Sequence, residues 1–433
     1  MRVTVVGAGL AGCEAAWQLA KAGLSVSLVE MKPKKYTPAH HYQGFAELVC
    51  SNSLKAFRLG TAGGMMKAEM RLFGSLILEA AEQNAVPAGG ALAVDRYAFS
   101  DEITRRIRKH PLIEVEEREV TAVPDGPVII ATGPLTSDSL ADAVFDFVGE
   151  KRLHFYDAAA PIVTKESISM ERAFFAARYG RGGADYINCP MNEEEYERFY
   201  QALVSGETAL LHSFDKREFY EGCMPIEVMA KRGKDSIRFG PLRPIGLRHP
   251  QTGERFYAAL QLRREDAQGS LYNLVGFQTN LKFQEQKRIF SMIPGLENAE
   301  FVRYGVMHRN TFLDSPHLLD ERFCLKKEPR IYFAGQMTGV EGYMESAASG
   351  ILAGFHLARE CLKRPPLVPA PVSMMGALCQ YISDPQRENF QPMGANMGLL
   401  PPLETPIRNK QERYEALARR GITALERQLE EGR

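Results

Sequence analysis

The chain has 433 residues, 45% of them hydrophobic, and this length predicts two or three domains or one domain with a large insertion. Its formal net charge is zero, which excludes a global electrostatic attraction to nucleic acid or membrane, so a polyanion must bind to a local patch. Seven scattered cysteines without a CxxC pair, and no apolar run of about 20 residues, argue against a metal site, a disulfide framework and a membrane partner, and favour the cytoplasm.

The first thirty residues predict a strand, a glycine turn, a helix and a second strand. The turn reads GAGLAG, which has the GxGxxG spacing. Glycines at these positions permit a tight turn, let backbone approach a pyrophosphate and let the helix lie close to the strands. An acid ends the second strand at the offset of about 20 residues expected for a ribose-binding carboxylate. Against the alternative of a glycine turn without a ligand, the pattern predicts a dinucleotide site formed by Gly7, Ala8, Gly9, Gly12 and Glu30.

Three features follow before residue 150. A polar loop around Cys50 reads Val-Cys-Ser-Asn-Ser and suits a position near a ligand. Ser100 is predicted to be the N-cap of a helix, because acidic residues and an apolar face follow it. A buried strand then ends in Ala-Thr-Gly, a sequence that recurs in flavoproteins of the two-dinucleotide type. We therefore expect Thr132 and Gly133 to lie near the nucleotide.

The middle of the chain has a different character. Dense charge and aromatic-rich segments predict an inserted α/β domain over residues 151–320, between two parts of a nucleotide-binding domain, 1–150 and 321–433. Residues 231–264 carry nine Lys or Arg against two acids, a local excess of seven. This stretch, which includes Arg243 and Arg248, is either a sheet edge guarded by cations or a phosphate-contacting surface.

The predicted sheet returns near residue 331. A strand there runs into a glycine loop, and a helix with a small-residue face is predicted over Ser346–Arg359. Such a unit either aims a helix N-terminus at a ligand or uses glycine only for close packing. In flavoproteins the late return approaches the flavin ring, and the residues predicted to contact it are Gly335, Gln336 and Gly339. A C-terminal amphipathic helix is predicted from Asn409 to about Glu430.

Two cysteines differ from the other five. Cys50 lies in the polar loop described above, and Cys223 lies in a turn with Gly before it and Pro after it. A turn exposes a thiol, and the nearby Lys231 and Arg232 would favour the thiolate, which is the nucleophilic form. The remaining cysteines are interpreted as structural.

Several segments, taken together, resemble one family. They are GAGLAGCEAAWQLA, ELVCSNSLKA, EGCMPIEVMA, RFGPLRPIGL, YNLVGFQTNLKFQEQKRIF, YGVMHRNTFLDSP and FAGQMTGVEGYMESAASG. In this order they look like the folate- and FAD-dependent tRNA uracil-5-methyltransferase family, from Met1 to about Leu400. The chain is also similar, more distantly, to the larger flavoprotein that modifies the tRNA wobble uridine.

The resemblance implies both a fold and an activity. The fold is α/β, a Rossmann-like FAD-binding domain of the two-dinucleotide, glutathione-reductase type with a large inserted α/β domain. The activity is formation of 5-methyluridine at position 54 in the T loop of tRNA. The one-carbon donor is 5,10-methylenetetrahydrofolate, the reductant is FADH2, and NADH or NADPH reduces the flavin. No obligatory protein partner is expected.

The resemblance also implies residue roles. Cys223 is the candidate for attack on carbon 6 of the uracil, and Cys50 is the candidate thiol beside the flavin or in the base adduct. The division of roles between them stays open. His308, Arg309 and Asn310 are the candidates for holding folate over the flavin. Arg243 and Arg248 are expected to contact tRNA, and nearby aromatic residues to stack a flipped base.

Alternative functions remain at this point. A flavin oxidoreductase acting on a small molecule would use the same nucleotide site, and a tRNA-binding flavoprotein could serve another enzyme. A disulfide reductase is disfavoured because CxxC and a second GxGxxG are missing. An S-adenosylmethionine methyltransferase would need neither the Thr132-Gly133 strand end nor the late glycine return.

Overall fold

The computed structural model describes residues 1–149, 153–180, 183–209, 224–387 and 390–432, so the predicted nucleophile Cys223 lies outside the described residues. The strands are β1 (Arg2–Val6), β2 (Ser25–Glu30), β3 (Ser53–Ala56), β4 (Ala85–Val86), β5 (Ala91–Val94), β6 (Ile113–Glu117), β7 (Val128–Ile130), β8 (Leu153–Ala158), β9 (Ile162–Thr164), β10 (Phe174–Ala176), β11 (Tyr186–Met191), β12 (Ala258–Arg264), β13 (Leu271–Leu274), β14 (Phe301–Arg303), β15 (Met307–Phe312) and β16 (Ile331–Phe333). The helices are α1 (Leu10–Lys21), α2 (Ala62–Leu72), α3 (Leu76–Gln83), α4 (Arg96–Lys109), α5 (Asp138–Val148), α6 (Glu193–Ser205), α7 (Ile226–Lys231), α8 (Lys234–Arg238), α9 (Phe283–Phe290), α10 (Ser315–Leu318), α11 (Tyr343–Cys361), α12 (Met374–Ser383) and α13 (Lys410–Glu431). Within these ranges no helix combines the length and the apolar character needed to cross a membrane.

A parallel sheet forms the first half of the architecture. Its strands lie in the order β6-β2-β1-β7-β16, and every pairing is parallel. The central strands are almost wholly apolar and buried, as expected for a sheet covered on both faces. The strand order changes direction beside β1, and ligands of such sheets bind at the carboxyl ends of the strands at that point. The predicted Rossmann-like fold is confirmed.

Glycines allow α11 to lie directly along α1. A Cβ atom on Gly350 would come 2.1 Å from the carbonyl oxygen of Ala11, and one on Gly354 would come 2.7 Å from that of Ala15. No side chain fits at these distances. Moving four residues along α11, from Gly350 to Gly354, corresponds to moving four residues along α1, from Ala11 to Ala15. The two helices therefore run parallel, with their N-termini toward the same end of the sheet. The helix begins at Tyr343, three residues before the predicted start.

An antiparallel sheet forms the inserted part. Its strands lie in the order β10-β11-β12-β13-β9-β14, and α6, α7 and α9 are among the helices beside it. A separate hydrophobic core, drawn from residues 163–299, fills this part. Two paired antiparallel strands, β8 and β15, lead into it and out of it. The predicted inserted α/β domain is confirmed as part of the fold class, while the boundaries at residues 150 and 320 stay a prediction.

The helix predicted to start after Ser100 begins earlier. The N-cap of α4 is Asp95, whose side chain accepts hydrogen bonds from the backbone N–H groups of Tyr97 and Ala98. Ser100 lies inside the helix, is buried, and donates its hydroxyl to the carbonyl of Phe45 at 2.5 Å. The N-cap prediction was wrong because a distant loop, which the local pattern does not reveal, supplies the acceptor for this serine.

Candidate active site

A cleft of about 1130 Å³ opens at the carboxyl ends of the parallel strands. Its walls include members of each predicted cofactor segment, namely Gly7, Ala8, Gly9, Glu30, Thr132, Gly133, Gly335 and Gln336. Ligands of open parallel sheets bind at this edge of the sheet, so the cleft lies where a dinucleotide is expected. The structure therefore brings most of the predicted cofactor residues together around one space.

The three glycines of the first turn have different surroundings. A Cβ on Gly12 would lie 1.8 Å from the carbonyl oxygen of Gly7, so this glycine permits close contact between the helix and the turn. Gly7 has a φ of +97°, and a Cβ there would lie 2.7 Å from the carbonyl oxygen of Ala131. A Cβ on Gly9 would meet nothing within 4 Å. Gly9 is thus the position at which backbone faces open cleft, as pyrophosphate binding requires.

The acid that ends β2 is held at the edge of this turn. One oxygen of Glu30 accepts a hydrogen bond from the backbone N–H of Ala8 at 2.7 Å, and the other accepts from that of Lys32 at 3.0 Å. A carboxylate has about four acceptor positions, so it retains capacity for ribose hydroxyls. The N-terminus of α1 has neither a side-chain cap nor an acid in its first turn, which leaves its N–H groups and dipole for phosphates. These donors and this acceptor fit the adenosine and pyrophosphate of FAD.

The late glycine loop forms the opposite wall. Gly335, with a φ of +82°, and Gln336 line the cleft. The Gln336 amide donates to both carboxylate oxygens of Glu341, at 2.8 and 2.7 Å, which fixes its orientation. Gly339 differs, because a Cβ there would come within 2.3 Å of the Phe390 ring. Gly339 therefore packs against an aromatic side chain, whereas the two preceding predicted residues face the cleft.

The Cys50 loop lies at the end of the cleft lined by Tyr343. The hydroxyl oxygen of Tyr343 accepts hydrogen bonds from the backbone N–H groups of Cys50 at 2.8 Å and Ser51 at 3.3 Å. Burial, and secondly the nearby Cys50, raise the pKa of this tyrosine, so it stays protonated at neutral pH. The Cys50 sulfur lies 3.6 Å from the carbonyl oxygen of Ala158 in β8. Val49 and Tyr343 line the cleft, so the structure places this predicted thiol directly beside the nucleotide cleft.

One buried and one half-buried arginine bind the backbone just before the thiol. Arg96 donates to the carbonyl of Leu48, and Arg303 donates to the carbonyl of Val49. Burial alone would lower the pKa of Arg96, but the Glu265 carboxylate, 2.7 Å away, raises it. Burial, followed by repulsion from Arg96, lowers the pKa of Arg303. Two guanidinium groups and one carboxylate therefore lie beside the Cys50 loop.

The inserted sheet also binds this loop. Arg263, in β12, donates to the Ser51 hydroxyl at 2.6 Å and to the Asn52 side-chain carbonyl at 2.8 Å. Arg263 is buried, so this member of the basic 231–264 stretch faces the first domain rather than solvent. Arg243 and Arg248 are exposed. The basic 231–264 stretch therefore does not form one cationic surface. Arg263 contacts the first domain, whereas Arg243 and Arg248 face solvent.

Strand β15 carries the residues predicted to hold folate, His308, Arg309 and Asn310. Its backbone crosses between the two glycine loops of the cleft. Thr311 donates its N–H to the carbonyl of Pro134 at 3.0 Å, and Leu313 donates to that of Met337 at 2.8 Å. Asn310 is buried. The strand thus lies beside the cleft, and its partner β8 contains the carbonyl that the Cys50 sulfur approaches.

Four residues of this site were missed from the sequence, namely Arg96, Glu265, Arg303 and Tyr343. Tyr343 belongs to a segment that carried the family resemblance, and Arg303 directly precedes another, so the sequence held a signal near both. Arg96 and Glu265 form an ion pair across 169 positions of sequence, and neither has a local pattern that marks it. Single charged residues usually lie on the surface, and only the folded chain reveals these as buried.

Comparisons of the sequence with known proteins identify close relatives. The family model described as glucose inhibited division protein A matches residues 2–365. A methylenetetrahydrofolate--tRNA-(uracil-5-)-methyltransferase TrmFO from Listeria monocytogenes serotype 4b is 58% identical over 429 residues, which cover 99% of both chains. A protein of the same name from Acetivibrio thermocellus is 58% identical and covers 98% of this chain and 97% of its own.

A comparison of structures agrees at the level of fold. Aquifex aeolicus GidA, in its form II crystal, superposes with a TM-score of 0.69 at 17% identity. The match covers 99% of this chain and 76% of that chain. At this identity the likeness concerns the fold alone.

Proposed function

Because this chain belongs to the glucose inhibited division protein A family, and within it to the methylenetetrahydrofolate--tRNA-(uracil-5-)-methyltransferases, we propose that it methylates carbon 5 of a uracil in tRNA. The one-carbon donor is 5,10-methylenetetrahydrofolate, and the target is the T-loop uridine. The match to TrmFO relatives along both chains carries this proposal. Because the relatives are named as tRNA methyltransferases, the two alternatives, a tRNA-binding partner protein and a small-molecule oxidoreductase, are not favoured.

The cofactor is FAD, and the walls of the cleft fit it. When bound and reduced to FADH2, the flavin would supply the two electrons that convert a transferred methylene group into a methyl group. Gly9 and the first turn of α1 would hold the pyrophosphate, and Glu30 would accept the ribose hydroxyls. Thr132, Gly133 and Gly335 line other parts of the cleft. NADH or NADPH reduces the flavin.

A thiolate is required because carbon 5 of uracil is a poor nucleophile. Addition of a thiolate at carbon 6 makes carbon 5 nucleophilic, and the thiolate leaves when the proton on carbon 5 is lost. Cys223 is proposed for this addition. Cys50 is proposed to act beside the flavin or in the base adduct, and its position between Tyr343 and two arginines supports a reactive thiol.

Strand β15 is proposed to bind the folate. His308, Arg309 and Asn310 belong to a strand that crosses beside the nucleotide cleft. A pterin held there would lie between this strand and the flavin end of the cleft. The exposed Arg243 and Arg248 are proposed to contact tRNA phosphates. The enzyme is proposed to act in the cytoplasm, where its cysteines stay reduced, and without an obligatory protein partner.

The test is direct formation of product. The purified protein, loaded with FAD, is incubated with tRNA lacking T-loop modification, 5,10-methylenetetrahydrofolate and NADPH, and 5-methyluridine is measured by mass spectrometry of nucleosides. We expect product at the T-loop uridine, and none when S-adenosylmethionine replaces the folate. A yellow, FAD-loaded enzyme that makes no 5-methyluridine under these conditions would contradict the proposal.

Cysteine variants test the proposed roles. Cys223→Ala and Cys50→Ala are each expected to retain FAD and to lose at least about a thousandfold in rate, as removal of a nucleophile usually does. Cys361→Ala is the matched control, because Cys361 is a half-buried thiol at the opposite end of α11 from the cleft. Full activity of Cys223→Ala would refute its role as the attacking thiol.

A further inference from the structure

An exposed tyrosine lies on the inserted domain in an unusual backbone conformation. Tyr179 follows β10 and is 56% exposed. Its φ of 60° and ψ of 21° are left-handed, a conformation that is uncommon for residues other than glycine and that costs free energy. Its N–H donates to the carbonyl of Gly246 at 2.9 Å, which holds it in place. Strained residues that the surrounding structure fixes often lie at binding sites.

The ring of Tyr179 lies flat on Gly246. A Cβ on Gly246 would be 3.0 Å from each of three ring atoms, Cε1, Cε2 and Cζ. Equal distances to three adjacent ring atoms place Gly246 beneath one face of the ring rather than at its edge. A side chain at position 246 would push the ring away, and the φ of +86° there also favours glycine. One face of the ring thus lies against backbone, while the residue keeps more than half of its surface exposed.

Two arginines lie beside this ring. Arg178 donates to the carbonyls of Arg243 and Ile245, the second at 3.0 Å, which ties the 243–246 loop to Tyr179. The Arg243 guanidinium lies 3.5 Å from the Tyr179 hydroxyl. Burial, and then the like charge of Arg243, lower the pKa of Arg178. Two guanidinium groups this close repel each other, and an anion such as a phosphate would relieve the repulsion.

The same arginine connects the ring to the Cys50 loop. Arg178 donates to the Gln261 side-chain carbonyl in β12 at 2.7 Å. Two positions farther along β12, Arg263 donates to the Ser51 hydroxyl at 2.6 Å. Residues two apart on a strand share one face of the sheet and are separated by roughly 7 Å. Tyr179 therefore lies on the side of the inserted sheet that faces the thiol.

From this arrangement we propose that Tyr179 stacks an unpaired base of the substrate tRNA near the target uridine, while Arg243 contacts the adjoining phosphate. The inference rests on the proposed function, which supplies tRNA as the substrate. Aromatic rings stack any base, because each base has a π face, and a nearby arginine adds electrostatic attraction to the backbone. A single-stranded loop, with its bases unstacked, is the part of tRNA that such a surface recognises.

The test compares three variants of the FAD-loaded enzyme, Tyr179→Ala, Tyr179→Leu and Tyr179→Phe. The dissociation constant for unmodified tRNA is measured by filter binding, together with kcat and KM for methylation. We expect about tenfold weaker tRNA binding for Ala and Leu, and nearly wild-type binding for Phe, which keeps the ring. KM should rise with the dissociation constant while kcat changes little, because stacking binds substrate and transition state alike.

The matched control is Phe147→Ala. Phe147 is 37% exposed and has Lys327 5.3 Å from its ring centre, but it belongs to α5 of the first domain. This variant should bind tRNA as the wild type does. The Leu variant guards against misfolding of the Ala variant, because leucine retains bulk on Gly246 without a π face. Melting temperature and FAD content are recorded for each protein.

Unchanged tRNA binding by the folded Tyr179→Leu variant would overturn the inference. Equal losses of tRNA affinity in Tyr179→Phe and Tyr179→Leu would also overturn it, because the effect would then come from the hydroxyl group and not from the ring. The inference is judged by tRNA affinity alone. A wild-type enzyme that makes no 5-methyluridine would contradict the proposed function, yet a stacking effect at Tyr179 would still support this inference.

Discussion

Cys50 takes its electrostatic surroundings from residues far away in the sequence. The carbonyls of the two preceding residues bind Arg96 and Arg303, and the Cys50 N–H binds Tyr343. Glu265 neutralises one of the two cations. The thiolate, not the thiol, is the reactive form, and nearby cations increase its population. Guanidinium groups from distant elements therefore help to fix where this thiol lies.

Replacing Arg303 by Gln should make the Cys50 thiol less reactive. The Arg303 guanidinium binds the carbonyl of Val49, next to the thiol, and nearby cations favour the reactive thiolate. Without this cation, alkylation of Cys50 by iodoacetamide at neutral pH should slow by up to about tenfold. The measurement is the pH profile of alkylation, followed by mass spectrometry of the peptide that contains Cys50.

Charge and geometry are separated by two further variants. Arg303→Lys retains the positive charge and should keep most of the wild-type pH profile. Arg58→Gln removes an exposed cation and should leave the profile unchanged. If Arg303→Gln and wild type gave the same pH profile while both retained FAD, the electrostatic role of Arg303 would be wrong.

At the scale of elements, a glycine in α11 and the glycine that caps α1 have different functions. Gly350 lets α11 touch the backbone of α1, whereas Gly9 leaves space in the cleft. The φ of Gly9 is −75°, which an alanine adopts without strain. The same substitution therefore tests packing at one position and cofactor space at the other.

Gly9→Ala should fold normally and lose FAD, and Gly350→Ala should lose stability. The Gly9 variant should unfold in urea within about 0.5 kcal/mol of the wild-type apoprotein, but its added methyl group occupies the space expected for the pyrophosphate. In Gly350→Ala the Cβ would lie 2.1 Å from a carbonyl oxygen, and we expect a loss of about 3 kcal/mol. Flavin absorbance after gel filtration reports binding.

Gly23→Ala is a control for substitution of glycine itself. Its φ of +86° makes alanine unfavourable, but nothing lies within 4 Å of the added Cβ and the residue is outside the cleft. It should lower stability by about 1 kcal/mol and leave FAD binding intact. Retention of FAD by Gly9→Ala at wild-type affinity would show that the pyrophosphate does not approach this backbone.

Local pattern sufficed for elements whose partners are close in sequence. The GAGLAG turn, its two strands and α1 form one continuous unit, and the apolar periods and glycines specify it within thirty residues. The start of the C-terminal helix near Asn409 was predicted correctly for the same reason, and Asn409 is its N-cap. Ser100 was not, because its hydroxyl is satisfied by a carbonyl 55 positions away. Sequence pattern predicts a local hydrogen bond well and a tertiary one poorly.

The candidate site divides in the same way. Glycine spacing predicted one wall of the cleft, since each glycine acts within its own turn. The surroundings of Cys50 depend on Arg96 meeting Glu265 and on Arg263 meeting Ser51, contacts that join both domains. Tyr179 had no signal either, because its ring becomes a platform only where Gly246 supports it. Predicting such contacts requires knowledge of the strand order in both sheets.

At the scale of the whole molecule, cofactor binding and tRNA binding are assigned to different parts of the chain. The nucleotide cleft lies at the edge of the parallel sheet. The inserted domain has exposed cations, and its Arg263 contacts the Cys50 loop. Because the net charge is zero, attraction of a polyanion depends on where cations lie rather than on how many the chain has. Binding of tRNA should therefore respond to substitutions in the inserted domain and much less to those elsewhere.

The double variant Arg243→Ala/Arg248→Ala should weaken tRNA binding and reduce its dependence on salt. Each phosphate contact contributes roughly 0.7–0.9 to the slope of log affinity against log salt, so loss of two contacts should reduce the slope by up to about 1.5. Affinity at about 0.1 M salt should fall about tenfold. Arg105→Ala/Lys109→Ala removes two exposed cations from α4 and is the matched control. If both double variants changed the slope equally, the molecule would bind tRNA through its overall charge, and the inserted domain would have no special part in recognition.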